Sequence, residues 1–167
     1  MERLPIKLND SVDLMAEKRL ILDKIELYGE EKVKDLLKSA VDVREKAYAP
    51  YSEYKVGASI LCTSGKIYSG CNTEVVTYSQ TGHAESNAIN AALRAGEAKE
   101  KRKFIEMVVC CASGESGPCG ACRQEIVEHC DNAVYIDTNP EGEPILVTTM
   151  NILFPYAFTP TDLEKDL

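Results

Sequence analysis

The sequence predicts an α/β fold, a three-layer α/β/α sandwich built around a five-stranded mixed sheet. Three observations predict it. Helix-like and strand-like patterns alternate along most of the chain, so helices must cover a sheet. The run Phe104 to Ala112 is apolar almost throughout, as in a strand buried on both faces. No internal repeat, low-complexity tract or linker divides the 167 residues, and 44% apolar residues suffice for one core. A helical extension over residues 1–30 is expected to precede a single domain over 31–167.

Residues 11–29 place Val12, Met15, Leu20, Leu22, Ile25 and Leu27 at helical spacings, and Gly29 supplies a stop. A second helix, from about Glu31 to Ala47, carries Val33, Leu36, Leu37, Ala40, Val41 and Val43 on one broad face; Ala49-Pro50-Tyr51-Ser52 breaks it. Lys55 to Cys62 and Lys66 to Cys71 read as strands joined by a Thr63-Ser64-Gly65 hairpin turn. A third helix opens near His83 and ends at Gly96, with five alanines that leave room for close packing. After the strand from Phe104 to Ala112, a fourth helix opens at Pro118-Cys119, with Cys122, Ile126, Val127 and Cys130 on one stripe. Ala133 to Ile136 and Ile145 to Met150 complete the five strands.

Composition excludes several classes. No run approaches the length of a membrane span, and the charged N-terminus lacks the apolar stretch of a secretory signal. Seven cysteines could suggest a disulfide scaffold, but the count is odd, and Cys62, Cys110 and Cys111 sit in apolar runs. Reduced thiols in a cytoplasmic protein fit better. A net charge of −8 argues against a nucleic-acid polymer, whose phosphates require clustered cations. The densest basic run, Lys99-Glu100-Lys101-Arg102-Lys103, reads as a solvated turn.

His83-Ala84-Glu85 upstream of Pro118-Cys119-Gly120-Ala121-Cys122 carries the chemistry. One imidazole and two thiolates can hold one Zn2+ per subunit and leave a fourth position open, as in a catalytic site. A structural zinc would need a fourth Cys or His, and the other histidine, His129, falls about two helical turns past Cys122, facing away. A redox Cys-x-x-Cys would need no His-x-Glu partner. Both ligand groups fall at expected helix N-termini, whose unpaired N–H groups favour anionic sulfur. Gly120 reads as a position where the backbone comes close to the metal turn. Two thiolates and a neutral imidazole cancel the charge of zinc, which lowers the pKa of water to roughly 7. Glu85, two residues from His83, is placed to take that proton and deliver it as general acid/base. His-x-Glu followed by Pro-Cys-x-x-Cys is the pattern of zinc nucleobase deaminases.

From about Val41 to Leu163 the chain resembles the cytidine deaminase family, in AYAPYSEYKVGAS (47–59), SGKIYSGCNTE (64–74), HAE (83–85), PCGACRQ (118–124) and LFPYAFTPTDL (153–163). The resemblance implies hydrolytic deamination of free cytidine or 2′-deoxycytidine to the uridine product and ammonia, in pyrimidine salvage. Hydroxide would attack ring carbon 4, with Glu85 protonating ring nitrogen 3 and helping to expel ammonia. The small-molecule substrate would be held by Asn72 and Glu74 at the ribose hydroxyls, by Tyr54 stacking on the base, and by the Ala84 N–H at the base carbonyl. Tyr78 would cross a subunit boundary, and Phe158 would reach a neighbouring subunit's site. The implied assembly is a homo-oligomer, a tetramer in preference to a dimer.

Three features depart from the family pattern. Short members commonly have Cys-Ala-Glu-Arg, in which a third thiolate is offset by the arginine; here His83 and Ser86 replace that pair together. Val75-Val76-Thr77 follows Glu74 where a more polar run is usual, and Tyr54 stands at a position usually held by Phe. These changes leave open another aminopyrimidine or a nucleoside antibiotic as substrate. A zinc-stabilised binding module without turnover would retain His83, Cys119 and Cys122 but have no need of Glu85.

Overall fold

The structure is a computed structural model that describes residues 14–99, 101–114, 117–159 and 162. In chain order the elements are α1 (Leu14–Tyr28), α2 (Glu30–Arg44), β1 (Gly57–Cys62), β2 (Ile67–Cys71), α3 (Ala84–Ala95), β3 (Ile105–Cys111), α4 (Gly120–Glu128), β4 (Val134–Thr138), β5 (Pro144–Thr149) and α5 (Met150–Leu153). Short 3-10 turns lie at Tyr78–Gln80 and Glu97–Lys99. The strands form one sheet in the order β2-β1-β3-β4-β5, parallel only between β3 and β4. The mixed sheet and three layers are as expected from the sequence.

Side-chain alternation in β3 divides the interior into two cores. Val108 and Cys110 join Ala88, Ile89 and Ala92 of α3, Ile126 of α4 and Met150 of α5 on one face. Met107, Val109 and Cys111 join Val33, Leu36 and Ala40 of α2 and Ile21 of α1 on the other. A strand that feeds both cores has no polar face, which is why its sequence reads as one apolar run.

Two glycines set how closely the helices lie on the sheet. A Cβ at Gly57 would stand 2.2 Å from the Ala40 carbonyl oxygen of α2, and one at Gly70 would stand 2.5 Å from the Ala88 nitrogen of α3. Any larger residue there would lift a helix off its strand. The site-bearing helix α3 therefore depends on Gly70 for its depth.

α1 is fastened to the rest of the fold by a half-buried ion pair. Lys24 Nζ lies 2.7 Å from Glu106 Oε2 on β3 and also donates to the Asn132 carbonyl at 3.2 Å. Residues 11–13 of the expected first helix lie outside the described residues.

Three expectations need correction. The last strand stops at Thr149, and Met150 opens α5, where its side chain is fully buried; apolar content alone could not separate a buried strand from a buried helical turn. The basic run after Lys99 is not simply a solvated turn. Arg102 pairs with Glu128, and Lys103 donates to the carbonyls of Val127 and Cys130 at 3.1 and 2.8 Å, satisfying the open end of α4. Gly120 has nothing within 4 Å of where a Cβ would stand, so close approach does not explain it.

Candidate active site

The two helix starts that carry His83 and Cys119 meet in the wall of a cavity of about 330 Å³. His83 is the N-cap of α3 and Cys119 the N-cap of α4, with Cys122 in the first turn of α4. His83 Nδ1 lies 3.5 Å from Cys119 Sγ and 3.3 Å from Cys122 Sγ, and the two sulfurs are 3.5 Å apart. Ligands about 2.0 and 2.3 Å from a tetrahedral zinc stand roughly 3.5–3.8 Å from one another, so this donor set fits the ion. Burial and the neighbouring Glu85 carboxylate push the Cys122 thiol well up. A thiolate there therefore needs a cation beside it. Among the described residues, no fourth His, Cys, Asp or Glu joins the group.

Glu85, 5% exposed, sits in the first turn of α3 and lines the same cavity. Ala84, beside it, is buried and also lines the cavity. The helix start thus turns a buried carboxylate and the metal-ligand group toward one space.

Asn72 and Glu74 add to the same wall from the segment Asn72-Thr73-Glu74, which is held between two neighbours. Thr73 exchanges backbone bonds with Gly82 at 2.9 and 3.0 Å, while Glu74 N donates to the Tyr48 carbonyl at 2.8 Å. Because Gly82 precedes His83, this pairing fixes the segment directly beside the ligand group. Asn72 Oδ1 accepts from Val56 N and its Nδ2 donates to the Tyr54 carbonyl, both at 2.8 Å. The Glu74 carboxylate accepts the Ser52 hydroxyl and the backbone N–H groups of Tyr51 and Ser52. These donors, the hydroxyl foremost, hold the Glu74 pKa below the ordinary carboxylate value. Both polar side chains therefore also pin the strand-entry loop that carries Tyr54, which lines the cavity.

Of the residues singled out in the sequence, His83, Ala84, Glu85, Cys119, Asn72, Glu74 and Tyr54 line one cavity, with Cys122 in contact behind them. Tyr78 and Phe158 do not join them within a single chain. Tyr78 is 60% exposed and meets Tyr51 edge-on at 6.1 Å, and Phe158 is 57% exposed. His129 stands at the end of α4 against Phe104, away from the ligand group. Sequence reasoning did not single out Ser52, Val56, Thr81, Cys110 or Gly117 as site residues, and these complete the wall. Ser52 and Val56 had a signal, as part of the AYAPYSEYKVGAS stretch. Among the described residues, no Lys or Arg lines the cavity.

Comparison with known proteins places this geometry. Residues 30–138 match the family model described as the cytidine and deoxycytidylate deaminase zinc-binding region. A cytidine deaminase of Sporosarcina psychrophila is 42% identical over 135 residues, 79% of this chain and 95% of that protein. A cytidine deaminase of Halalkalibacterium halodurans is 38% identical, over 77% of this chain and 96% of that protein. The crystal structure of cytidine deaminase from Burkholderia pseudomallei superposes with a TM-score of 0.68 at 36% identity, covering 75% of this chain and 98% of that one.

Proposed function

The chain belongs to the cytidine deaminase family, and on that premise we propose which of its residues carry the reaction and in what form the substrate arrives. The protein is a zinc-dependent enzyme that removes the amino group of cytidine or 2′-deoxycytidine by hydrolysis, releasing ammonia. His83, Cys119 and Cys122 would hold the ion. Zinc, when bound, supplies Lewis-acid chemistry that brings the pKa of water down to about 7.

Glu85 takes a proton from the attacking water, delivers it to ring nitrogen 3 and assists departure of ammonia. Its buried position beside the ligand group supports that role. The Ala84 N–H, at the free end of α3, meets the base carbonyl. Asn72 and Glu74 receive the ribose hydroxyls, and Tyr54 stacks on the base. Their place in the wall of the same cavity as His83, Ala84 and Glu85 supports this division, since one nucleoside must meet both sets of groups. The chain works as a homo-oligomer, a tetramer in preference to a dimer, in which Tyr78 and Phe158 complete a neighbour's site; their exposure in the single chain supports it. Unpaired buried thiols at Cys62, Cys110, Cys111 and Cys130 support a cytoplasmic location, and release of uridine from cytidine fits pyrimidine salvage.

One observation carries the choice of a free nucleoside over its 5′-phosphate. The cavity presents the carboxylates of Glu74 and Glu85, and no cation among its described lining residues, so a phosphate would find repulsion in place of a partner. Ammonia release measured with cytidine, 2′-deoxycytidine, cytosine and 2′-deoxycytidine 5′-monophosphate tests this. The two nucleosides should turn over with kcat/KM at least ~10²-fold above the nucleotide and the free base. A preference for the nucleotide would overturn the reading.

A further inference from the structure

We propose that Arg123 and Gln124 are positioning residues that couple the metal-ligand turn to the C-terminal segment carrying Phe158. They follow Cys122 directly on α4. Arg123 Nε donates to the carbonyl of Pro118, just before Cys119, at 2.7 Å. Its Nη1 donates to the carbonyl of Leu153, at the end of α5, also at 2.7 Å. Gln124 Nε2 donates to the carbonyl of Phe158 at 2.7 Å. One rigid guanidinium therefore spans the ligand turn and the outgoing chain, and the next side chain holds the backbone of the aromatic residue itself. A planar fork fixes its two acceptors relative to each other, which a single ammonium cannot do.

The backbone between the two anchor points supports this. Tyr156 has φ +59° and a fully exposed side chain. A tyrosine held in the left-handed region is strained and persists only where its surroundings over-determine it. Arg123 secures the chain three residues before Tyr156, at Leu153, and Gln124 secures it two residues after, at Phe158. When His83, Cys119 and Cys122 close on zinc, the Pro118–Cys122 turn is fixed, Arg123 is fixed with it, and the strained bend is held. Without the ion the turn relaxes and the bend has a free end. The coupling rests on these bonds and on the metal. Its kinetic consequence rests, in addition, on the proposed role of Phe158.

Hydrogen exchange on the full chain, zinc-loaded and chelator-stripped, tests it, with α2 as internal reference. Stripping should speed exchange in residues 153–159 at least ~10-fold together with the ligand turn, leaving α2 unchanged. In the zinc-loaded protein, Arg123→Ala should loosen 153–159 to a similar degree, and Arg123→Lys should restore only part of the protection. Should stripping unfold α2 as well, the zinc-loaded Arg123→Ala and Gln124→Ala proteins decide by the same measure. Protection of 153–159 that ignores both the metal and Arg123→Ala would overturn the coupling. Gln124→Ala should raise KM about fivefold or more while kcat and zinc content change little, whereas a merely destabilised protein would lose active fraction at constant KM. A loosened segment with unchanged KM would uphold the coupling and refute the role given to Phe158.

Discussion

Ser86 donates its hydroxyl to the carboxylate of Glu125, linking the first turn of α3 to the middle of α4. These are the helices whose starts carry the metal-ligand group. Position 86 therefore faces a carboxylate, in a site that already holds two thiol ligands and the Glu85 carboxylate. The serine satisfies Glu125 without adding charge. That gives a physical reason for His83 and Ser86 to occur together: a two-thiolate site has no surplus negative charge to offset.

His83→Cys should retain zinc but lose activity near neutral pH, its pH–rate profile moving to higher pH. A third thiolate leaves the ion less able to acidify water. Adding Ser86→Arg should return part of the loss, with Glu125 competing for the new guanidinium. Adding Glu125→Gln should then enlarge the rescue. Double-mutant coupling between positions 83 and 86 of about 0.5–3 kcal/mol is expected, and simple additivity would show that the two residues are unrelated.

Glu85→Gln preserves size but removes the proton carrier, so turnover should fall ~10²–10⁴-fold. Zinc should remain bound, because Glu85 is not one of the three residues grouped to hold it. Competition with a chromogenic chelator checks the affinity. Wild-type turnover in the zinc-loaded variant would remove Glu85 from the mechanism.

Ser52→Ala should raise KM for cytidine several-fold and shift the acid limb of kcat/KM to higher pH. The Ser52 hydroxyl is the largest of the influences that hold the Glu74 pKa down. A lowered pKa keeps the clamp ionised, and its bonds are lost only as pH falls through that lowered value. Without the hydroxyl the value rises, so the loss begins at higher pH. Glu74→Ala should harm binding and also loosen the loop it pins at Tyr51 and Ser52. An acid limb unmoved in Ser52→Ala would refute the assignment.

The parts of this fold legible in sequence were those with a local pattern. The doubly buried β3 is a single apolar run, and the candidate zinc site shows because His83, Cys119 and Cys122, with Glu85 beside them, lie in two short stretches with fixed spacing. Ser86 and Glu125 are 39 residues apart and look like any two surface residues. The bonds of Arg123 and Gln124 end on backbone carbonyls, which leave no mark in the residue pattern of the partner. Gly120 misled for the converse reason, since a glycine in a metal turn suggests crowding where the chain is open. Tyr78 and Phe158 have exposed rings, and exposure within one chain gives them no role there.

Stability should fall on mild acidification through His129. Its Nδ1 is buried without a hydrogen-bond partner, its ring lies 5.1 Å from that of Phe104, and burial lowers its pKa from 6.5. The fold thus holds the neutral ring while the unfolded chain titrates normally. The contribution is fully present above the unfolded pKa and is lost as pH falls from there through the folded value. His129→Gln should flatten the urea midpoint across that window. An unchanged slope would assign the acid sensitivity to other groups.

Mixing two impaired variants tests whether sites are shared between subunits. Glu85→Gln lacks the proton carrier but keeps Phe158, and Phe158→Ala keeps the chemistry but lacks the ring. If Phe158 serves only its own chain, a mixed assembly contains the same two kinds of defective site as the separate variants, and activity is their average. If it reaches a neighbour, some sites in the mixture combine an intact Glu85 from one chain with an intact Phe158 from the next. Those sites should show wild-type KM, and activity at low cytidine concentration should exceed the average of the two proteins alone. Exchange of subunits is verified beforehand by mass spectrometry of the intact assembly. A verified hetero-oligomer with merely averaged activity would confine each site to one chain. The 57% exposure of Phe158 would then need another explanation.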